Sequence, residues 1–184
     1  KDLGDCLRSV QALADEMVVV VDDSGSDATA DVARAYTPNV WIKPFEGFSA
    51  MKGFALTQCR GAWALNLDTD ERPTPQLLEE IHRIKRLAEI PVSGYFLNRL
   101  PYFLGKPIRH GGWYPDWVMR LVRPDHAVYP LRPVHERLEV SGKSSRLAGD
   151  LLHFTVTDWS RFLAKQRRFA ALAPVEPSVW SAWS

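Results

Sequence analysis

The stretch that most constrains this chain is an apolar run ending in carboxylates, Ala62-Trp63-Ala64-Leu65-Asn66-Leu67-Asp68-Thr69-Asp70-Glu71-Arg72-Pro73. Bulky apolar residues bounded by Gly61 and Pro73 read as a buried central strand. Chemistry is expected at its polar end, because ligands of open α/β sheets gather in the crevice beyond the carboxyl ends of the strands. Asp68 and Asp70 flank Thr69, so an extended backbone would send both side chains to the same side. Two converging carboxylates repel unless a cation or a shared proton intervenes. A divalent metal is the simplest relief, since Mg²⁺ takes one or two protein carboxylates and completes its shell with water and substrate phosphates. The competing reading is a solvated strand-to-helix turn with Thr74 as N-cap and Pro75 as first helical residue, which accounts for the cap but not for Asp68. An EF-hand loop is excluded, because Arg72 and Pro73 stand where it needs Asp or Asn and then Gly.

Around this run the pattern alternates. Leu3, Leu7, Val10 and Leu13 share a helical face; residues 17–21 form a β-branched strand expected to be buried on both faces. Asp22-Asp23-Ser24-Gly25-Ser26-Asp27 closes that strand with carboxylates and hydroxyls and leads into a helix capped by Ser26 or Asp27. A short strand over 39–43 precedes a helix over 49–59, where Lys52 near the start could reach a diphosphate in the crevice or simply be solvated. After the central run comes a helix from Pro75 to about residue 88, with Leu77, Leu78, Ile81, Ile84 and Leu87 inward. This rhythm predicts βαβ crossovers and a Rossmann-like, mainly parallel sheet flanked by helices. The chain opens directly in a helix that runs into a strand, as expected of a βα unit lacking its first strand.

Beyond Pro91 the texture changes. Residues 94–100 and 117–123 read as strands, joined by an aromatic loop over 103–116, long enough to imply function. Asp116 ends that loop between Trp113 and Trp117, whose rings could stack on a sugar; the alternative is a structural pair of Asp116 with Arg120 or Arg123. In Val134-His135-Glu136, His135 could complete a metal shell or touch phosphate, and Glu136 could act as a base, or the two could form a structural pair. His153, after Leu151-Leu152, reads as a hydrogen-bonded core histidine. Residues 158–172 read as an amphipathic helix, with Trp159, Phe162, Leu163, Phe169 and Leu172 against Arg161, Lys165, Arg167 and Arg168. Such a helix lies on an anionic membrane surface or packs on the sheet. The expected division is a catalytic domain over 1–156 and this helix with a tail over 157–184.

Composition narrows the class. With 184 residues and 46% hydrophobic content, one domain with a substantial core is expected. A formal charge of +1 gives no sign of a nucleic-acid partner. Cys6 and Cys59 lie in helical stretches without metal-ligand partners nearby and read as reduced, small hydrophobes of a cytosolic protein. No apolar run approaches bilayer length. Seven tryptophans suit sugar-stacking or interfacial surfaces as well as core.

Taken in order, Asp5-Cys6-Leu7-Arg8-Ser9 with Asp15-Glu16, residues 22–29, residues 63–71, Gly105-Lys106 with residues 110–116, Arg120-Leu121 and Val134-His135-Glu136 resemble family 2 glycosyltransferases, specifically the bacterial lipopolysaccharide-core type. The resemblance covers nearly the whole chain. It implies the GT-A fold, a nucleotide-sugar donor (a UDP-sugar foremost), Mg²⁺ or Mn²⁺ held through a D-x-D, and inversion at the anomeric carbon. On it Asp68 and Asp70 fall on the D-x-D, with Asp70 as metal ligand and Asp68 in support, and Asp22 or Asp23 on the acidic residue that helps hold the nucleoside. The loop after Asp23 is one residue shorter than the family's usual D-S-G-S-T-D-G-T, so both aspartates stay open, and Gly53 stands where the family often has Asn. The implied acceptor is a lipid-linked glycan met at the cytoplasmic face of the membrane. Asp116 is the first choice for the base and Glu136 the second. A nucleotidyltransferase using the same carboxylates and an inactive membrane-binding module are the alternatives.

Overall fold

The computed structural model describes residues 2–24, 28–87, 90–130 and 137–156, together with Trp159 and Leu163. Helix α1 (Asp2–Val10) leads to strand β1 (Val19–Asp22), helix α2 (Thr29–Arg34), strand β2 (Val40–Lys43) and helix α3 (Phe48–Thr57). Strands β3 (Ala64–Leu65) and β4 (Glu71–Pro73) follow, then helix α4 (Pro75–Lys85). The remainder is strand-rich: β5 (Gly94–Phe103), β6 (Lys106–Pro107), β7 (Trp117–Val122), β8 (Ala127–Val128), β9 (Glu139–Val140) and β10 (Ser144–Val156). The α/β class holds, and this mixed α/β architecture is consistent with the GT-A fold.

Two expectations are corrected. Among the described strands, only β1–β2 and β5–β10 pair in parallel; β3–β7, β5–β7, β5–β6, β8–β9 and β10–β4 are antiparallel. The strand-helix rhythm that predicts parallel crossovers stops at α4, and the segments after it return through loops rather than helices. Nor is the stretch over 62–73 one central strand. It splits into β3 and β4, which lie at opposite ends of a sheet ordered β3-β7-β5-β10-β4.

That split decides where the carboxylates go. Across a flat sheet the first and fifth strands stand about 19 Å apart at ordinary strand spacing. Residues 66–70 would need nearly full extension to bridge this, yet they contain a turn closed by the Glu71 N–H on the Asp68 carbonyl at 2.9 Å. The sheet therefore curls, and the crossing segment carries Asp68 and Asp70 past the strand ends.

The core sits between α4 and the sheet. Thr74 caps α4 by accepting from the Leu77 N–H, with Pro75 in the first turn, as the sequence predicts. Leu77, Ile81 and Ile84 then pack with Leu97, Leu121, Leu151 and Tyr95. Each fully buried leucine of this group contributes roughly 2 to 3 kcal/mol. A second cluster gathers Leu56, Ala64, Val122, Tyr129 and Leu138. Cys6 is buried and Cys59 half-buried, both as free thiols. By contrast β1 is half-buried along its length, not buried on both faces, because β2 is its one strand neighbour among the described residues.

Strand β10, which nothing in the residue pattern announces, holds the sheet together. It pairs with β5 on one side and β4 on the other, with a register break between Arg146 and Asp150. The break is filled by α4: Glu80 Oε2 accepts the Ala148 and Gly149 N–H groups at 3.0 and 3.2 Å, and the Thr74 N–H and hydroxyl both donate to the Asp150 carbonyl. Gly149 is required there, since a Cβ would stand 2.5 Å from Leu77 N and 2.6 Å from its Cα. Gly149→Ala should therefore push α4 off the sheet and lower the unfolding free energy by about 3 kcal/mol, read as a shift of the urea midpoint; an unchanged midpoint would show that the helix yields without loss.

Candidate active site

Residues 68–71 form a turn locked from both sides. The Asp68 N–H donates to Glu71 Oε2 at 2.9 Å, and the Glu71 N–H returns to the Asp68 carbonyl. Arg72 fastens it from outside: one guanidinium nitrogen donates to the Thr69 and Glu71 carbonyls at 2.7 and 2.8 Å, the other to the Asp2 carbonyl at 2.8 Å. The arginine that excludes a calcium loop thus ties this turn to the start of α1.

Behind the turn lies a chain of alternating charges. Glu71 is fully buried, and Arg120, on β7, is 6% exposed. Arg120 Nη2 donates to Glu71 Oε1 at 2.6 Å and to Asp68 Oδ2 at 2.5 Å, and Nη1 donates to Asn66 Oδ1 at 2.9 Å. Lys52 Nζ takes the other oxygen of Asp68 at 2.7 Å. On the far side Arg99, on β5, holds Asp116 Oδ2 through Nε at 2.8 Å and Nη2 at 2.7 Å, while its Nη1 stands 3.7 Å from Glu71 Oε1. The order is Lys52, Asp68, Arg120, Glu71, Arg99, Asp116: each carboxylate meets a cation, as burial demands. Burial opposes ionisation of Asp68, but Arg120 and Lys52 outweigh it and bring its pKa down to about 2. Burial likewise opposes the charge on Arg120, and the facing Glu71 and Asp68 raise its pKa nonetheless.

Asp70 lies in a different environment. Its Oδ2 faces His153 Nε2 at 3.3 Å, and the Thr155 hydroxyl meets the other ring nitrogen at 3.2 Å. Burial again works against ionisation, but the His153 contact holds the Asp70 carboxyl below its ordinary range. His153 arrives here because β10 pairs with β4, setting it opposite Glu71, while the Phe154 N–H holds the Asp70 carbonyl. It is hydrogen-bonded, as the sequence reading has it, and its partner is the acidic turn.

This geometry tests the donor set for a divalent ion. Asp68 does not fit, because Lys52 and Arg120 occupy both its oxygens. Asp70 and His153 carry no competing cation and fit better: they offer a carboxylate oxygen and an imidazole nitrogen that face each other at 3.3 Å, a contact an ion would replace, with Thr155 on the second ring nitrogen to orient it. Among the described residues no group of three such ligands forms. The carboxylate pair thus does not converge as it would on an extended strand: the turn separates the two, and protein cations already neutralise one of them.

Of the other sequence candidates, Asp22 accepts from the N–H and hydroxyl of Ser24, and the Asp23 N–H donates to the Lys43 carbonyl. Neither contact joins the charge chain. Helix α2 is preceded at its cap by Ala28 with no side-chain cap bond; Ser26 and Asp27 lie outside the described residues. Trp113 is 54% exposed, whereas one face of Trp117 is covered by Arg146, 4.6 Å from the ring centre. Asp116 pairs with Arg99, not with Arg120 or Arg123. His135 and Glu136 lie outside the described residues, as does the segment over 158–172 apart from Trp159, which meets Phe103 edge-on, and Leu163. Sequence reasoning missed Arg99, Arg120, Glu71 and His153 as site residues. Arg99, Arg120 and His153 carry one signal, a polar residue within an otherwise apolar strand, whereas Glu71 stands among charged neighbours and carries none.

Comparison with known proteins adds a family. The model of glycosyl transferase family 2 matches residues 1–138. A lipopolysaccharide core biosynthesis glycosyltransferase, LpsC of Rhizobium meliloti (strain 1021), is 29% identical over 182 residues, covering 92% of this chain and 64% of its own length. An uncharacterized glycosyltransferase of Rickettsia bellii (strain RML369-C) is 40% identical over 78 residues, 42% of this chain and 26% of its own. A similar protein of Rickettsia prowazekii (strain Madrid E), also uncharacterized, is 37% identical over the same extent. The chain thus spans less than two thirds of each of these relatives.

The Asp68 pairs make stability depend on acid. A carboxylate with a depressed folded-state pKa stabilises the fold above its unfolded pKa and loses that contribution as pH falls through the folded value. Between about pH 5 and pH 2.5 the native protein should lose about 1.5 kcal/mol more than Asp68→Asn does. Urea unfolding across that range measures it, and parallel curves would remove Asp68 from the ion-paired state.

Proposed function

The chain belongs to glycosyl transferase family 2, and from that premise we propose that it transfers a hexose from a nucleotide-diphosphate sugar, with inversion, to a hydroxyl of a lipopolysaccharide-core or related surface glycan. The observation that carries this reading is the charge chain itself, which ties Asp116 at the entry to β7 to Asp68 and Lys52 at the crossing turn. In this reading the base, Asp116, and the lysine that meets the diphosphate, Lys52, belong to one connected frame. The likeness to a relative named for lipopolysaccharide core biosynthesis supports the acceptor class.

The chemistry asks little else of the protein. A sugar leaving a diphosphate develops oxocarbenium character while charge grows on the leaving phosphate. Lys52, 17% exposed, can follow that charge. Asp70 with His153 would hold Mg²⁺ or Mn²⁺, which as a Lewis acid neutralises the leaving phosphate. Asp22 or Asp23 contacts the nucleoside of a UDP-sugar, and Trp113 offers an exposed ring for stacking on the acceptor. The acceptor hydroxyl attacks from the face opposite the diphosphate and loses its proton to Asp116, whose Oδ1 has no partner among the described residues. Attack from that face is what inverts the anomeric carbon.

No helix among the described residues is long and apolar enough to cross a membrane. In this reading a lipid-linked acceptor is met at the cytoplasmic membrane face, with the basic segment over 158–172 as the contact.

The test is release of nucleoside diphosphate from a panel of UDP-, GDP- and ADP-sugars in the presence of lipopolysaccharide core oligosaccharide; pyrophosphate as product would instead mark a nucleotidyltransferase. Asp116→Asn should lower kcat by about 10³-fold with donor Kd changed less than about twofold. Turnover near wild type would take the base role from Asp116.

A further inference from the structure

Asp116 is fixed by more than its carboxylate. Its N–H donates to Asn98 Oδ1 at 3.0 Å, and its carbonyl accepts the Arg99 N–H at 2.7 Å. Asn98 is 5% exposed and is itself anchored, its amide nitrogen donating to Asp150 Oδ1 at 3.2 Å. The same Asp150 oxygen accepts from the Tyr114 hydroxyl at 3.0 Å, so the end of the 103–116 loop and the Asn98 side chain of β5 share one anchor. On this frame Arg99 takes a single oxygen, with Nε and Nη2 converging on Oδ2. Rotation about the bond carrying the carboxylate would break both contacts, so Oδ1 is left in one orientation.

We propose that Arg99 is the positioning residue for the base: it presents Oδ1 of Asp116 to the acceptor hydroxyl and, through its third nitrogen beside Glu71, sets that oxygen in register with the Asp68 side of the site. The inference rests on the reading of Asp116 as base. It requires a planar fork with nitrogens in fixed relation, two for Asp116 and one for Glu71. A lysine carries the charge but not the fork. When the acceptor proton arrives on Oδ1, Oδ2 keeps both guanidinium contacts, so the carboxyl group does not swing away before the new glycosidic bond is complete.

The experiment uses Arg99→Lys and Arg99→Ala in the full chain, with the nucleotide sugar that the wild type turns over and core oligosaccharide as acceptor. Unfolding midpoints identify variants that remain folded. Arg99→Lys should lower kcat about 10²-fold with the donor KM changed less than about twofold, the loss expected for a reacting group displaced by about 1 Å. In Arg99→Ala, added ethylguanidinium should restore at least about tenfold of the lost kcat, whereas ethylammonium should not; a purely structural role would not separate the two additives. A rise in KM at unchanged kcat, or full activity of Arg99→Lys, overturns the proposal. If Asp116→Asn is inactive in the same assay, the function reading survives that failure. If Asp116→Asn is fully active, or the wild type transfers nothing from the panel, the function reading falls and takes the inference with it.

Discussion

A carboxylate with no exposed surface persists only if cations are brought to it, and Glu71 is such a carboxylate. Desolvating an ion costs several kcal/mol even after relaxation, and the attraction of a partner offsets this only with good geometry on every oxygen. Glu71 has that geometry: Arg120 and Arg99 face Oε1, and the Asp68 N–H fills Oε2. These partners come from β7, β5 and the crossing turn, so satisfying one buried charge fixes the relative position of three parts of the molecule. Replacing the cluster with well-packed apolar residues would be the more stable solution by the usual accounting. The retained charges instead bring Asp68 and Asp116 into a shared frame.

The two aspartates of the turn show why spacing alone misleads. Two carboxylates separated by one residue predict mutual repulsion and hence a shared cation. The turn from Asp68 to Glu71 breaks the extended geometry on which that argument depends. Asp68 receives Lys52 and Arg120, Asp70 receives His153, and each has its own relief. Under the proposed function a divalent ion would therefore fall to the Asp70 side, with Asp68 supporting the donor through the lysine it holds.

Much of the frame was readable beforehand. Periodicity gave α1, α3, α4, β1, β2, β5 and β7 to within a few residues, and Thr74-Pro75 marked the start of α4 because local capping chemistry is written locally. Asp116 was legible as the last residue of an aromatic loop before a strand. Strand β10 was not, since Gly149, Asp150 and a register break interrupt its alternation, and without it neither β4 nor His153 could be placed. The partners Arg99 and Arg120 were equally hidden. Sequence separations of 17 for Arg99–Asp116 and 49 for Arg120–Glu71 leave no local trace: the β5–β7 register closes the first, and the turn crossing from β3 to β4 closes the second.

The strength of the network falls from its middle outward. Arg120 and Glu71 are shut away from water, where a broken pair would leave an uncompensated charge, so the centre has no cheap alternative arrangement. At its ends the balance changes: the Lys52–Asp68 pair is 17% and 30% exposed, and the Asp116 side chain 39%. Water, a phosphate or a hydroxyl can replace a partner there at modest cost, because the local dielectric is higher and the competing ligand brings its own charge or dipole. A ligand can therefore exchange contacts at Lys52 and at the open oxygen of Asp116 without disturbing Glu71. That gradient, fixed at the core and exchangeable at both rims, is what the proposed two-substrate site would need: donor and acceptor could be engaged at separate ends while the distance between them is set by groups neither one touches.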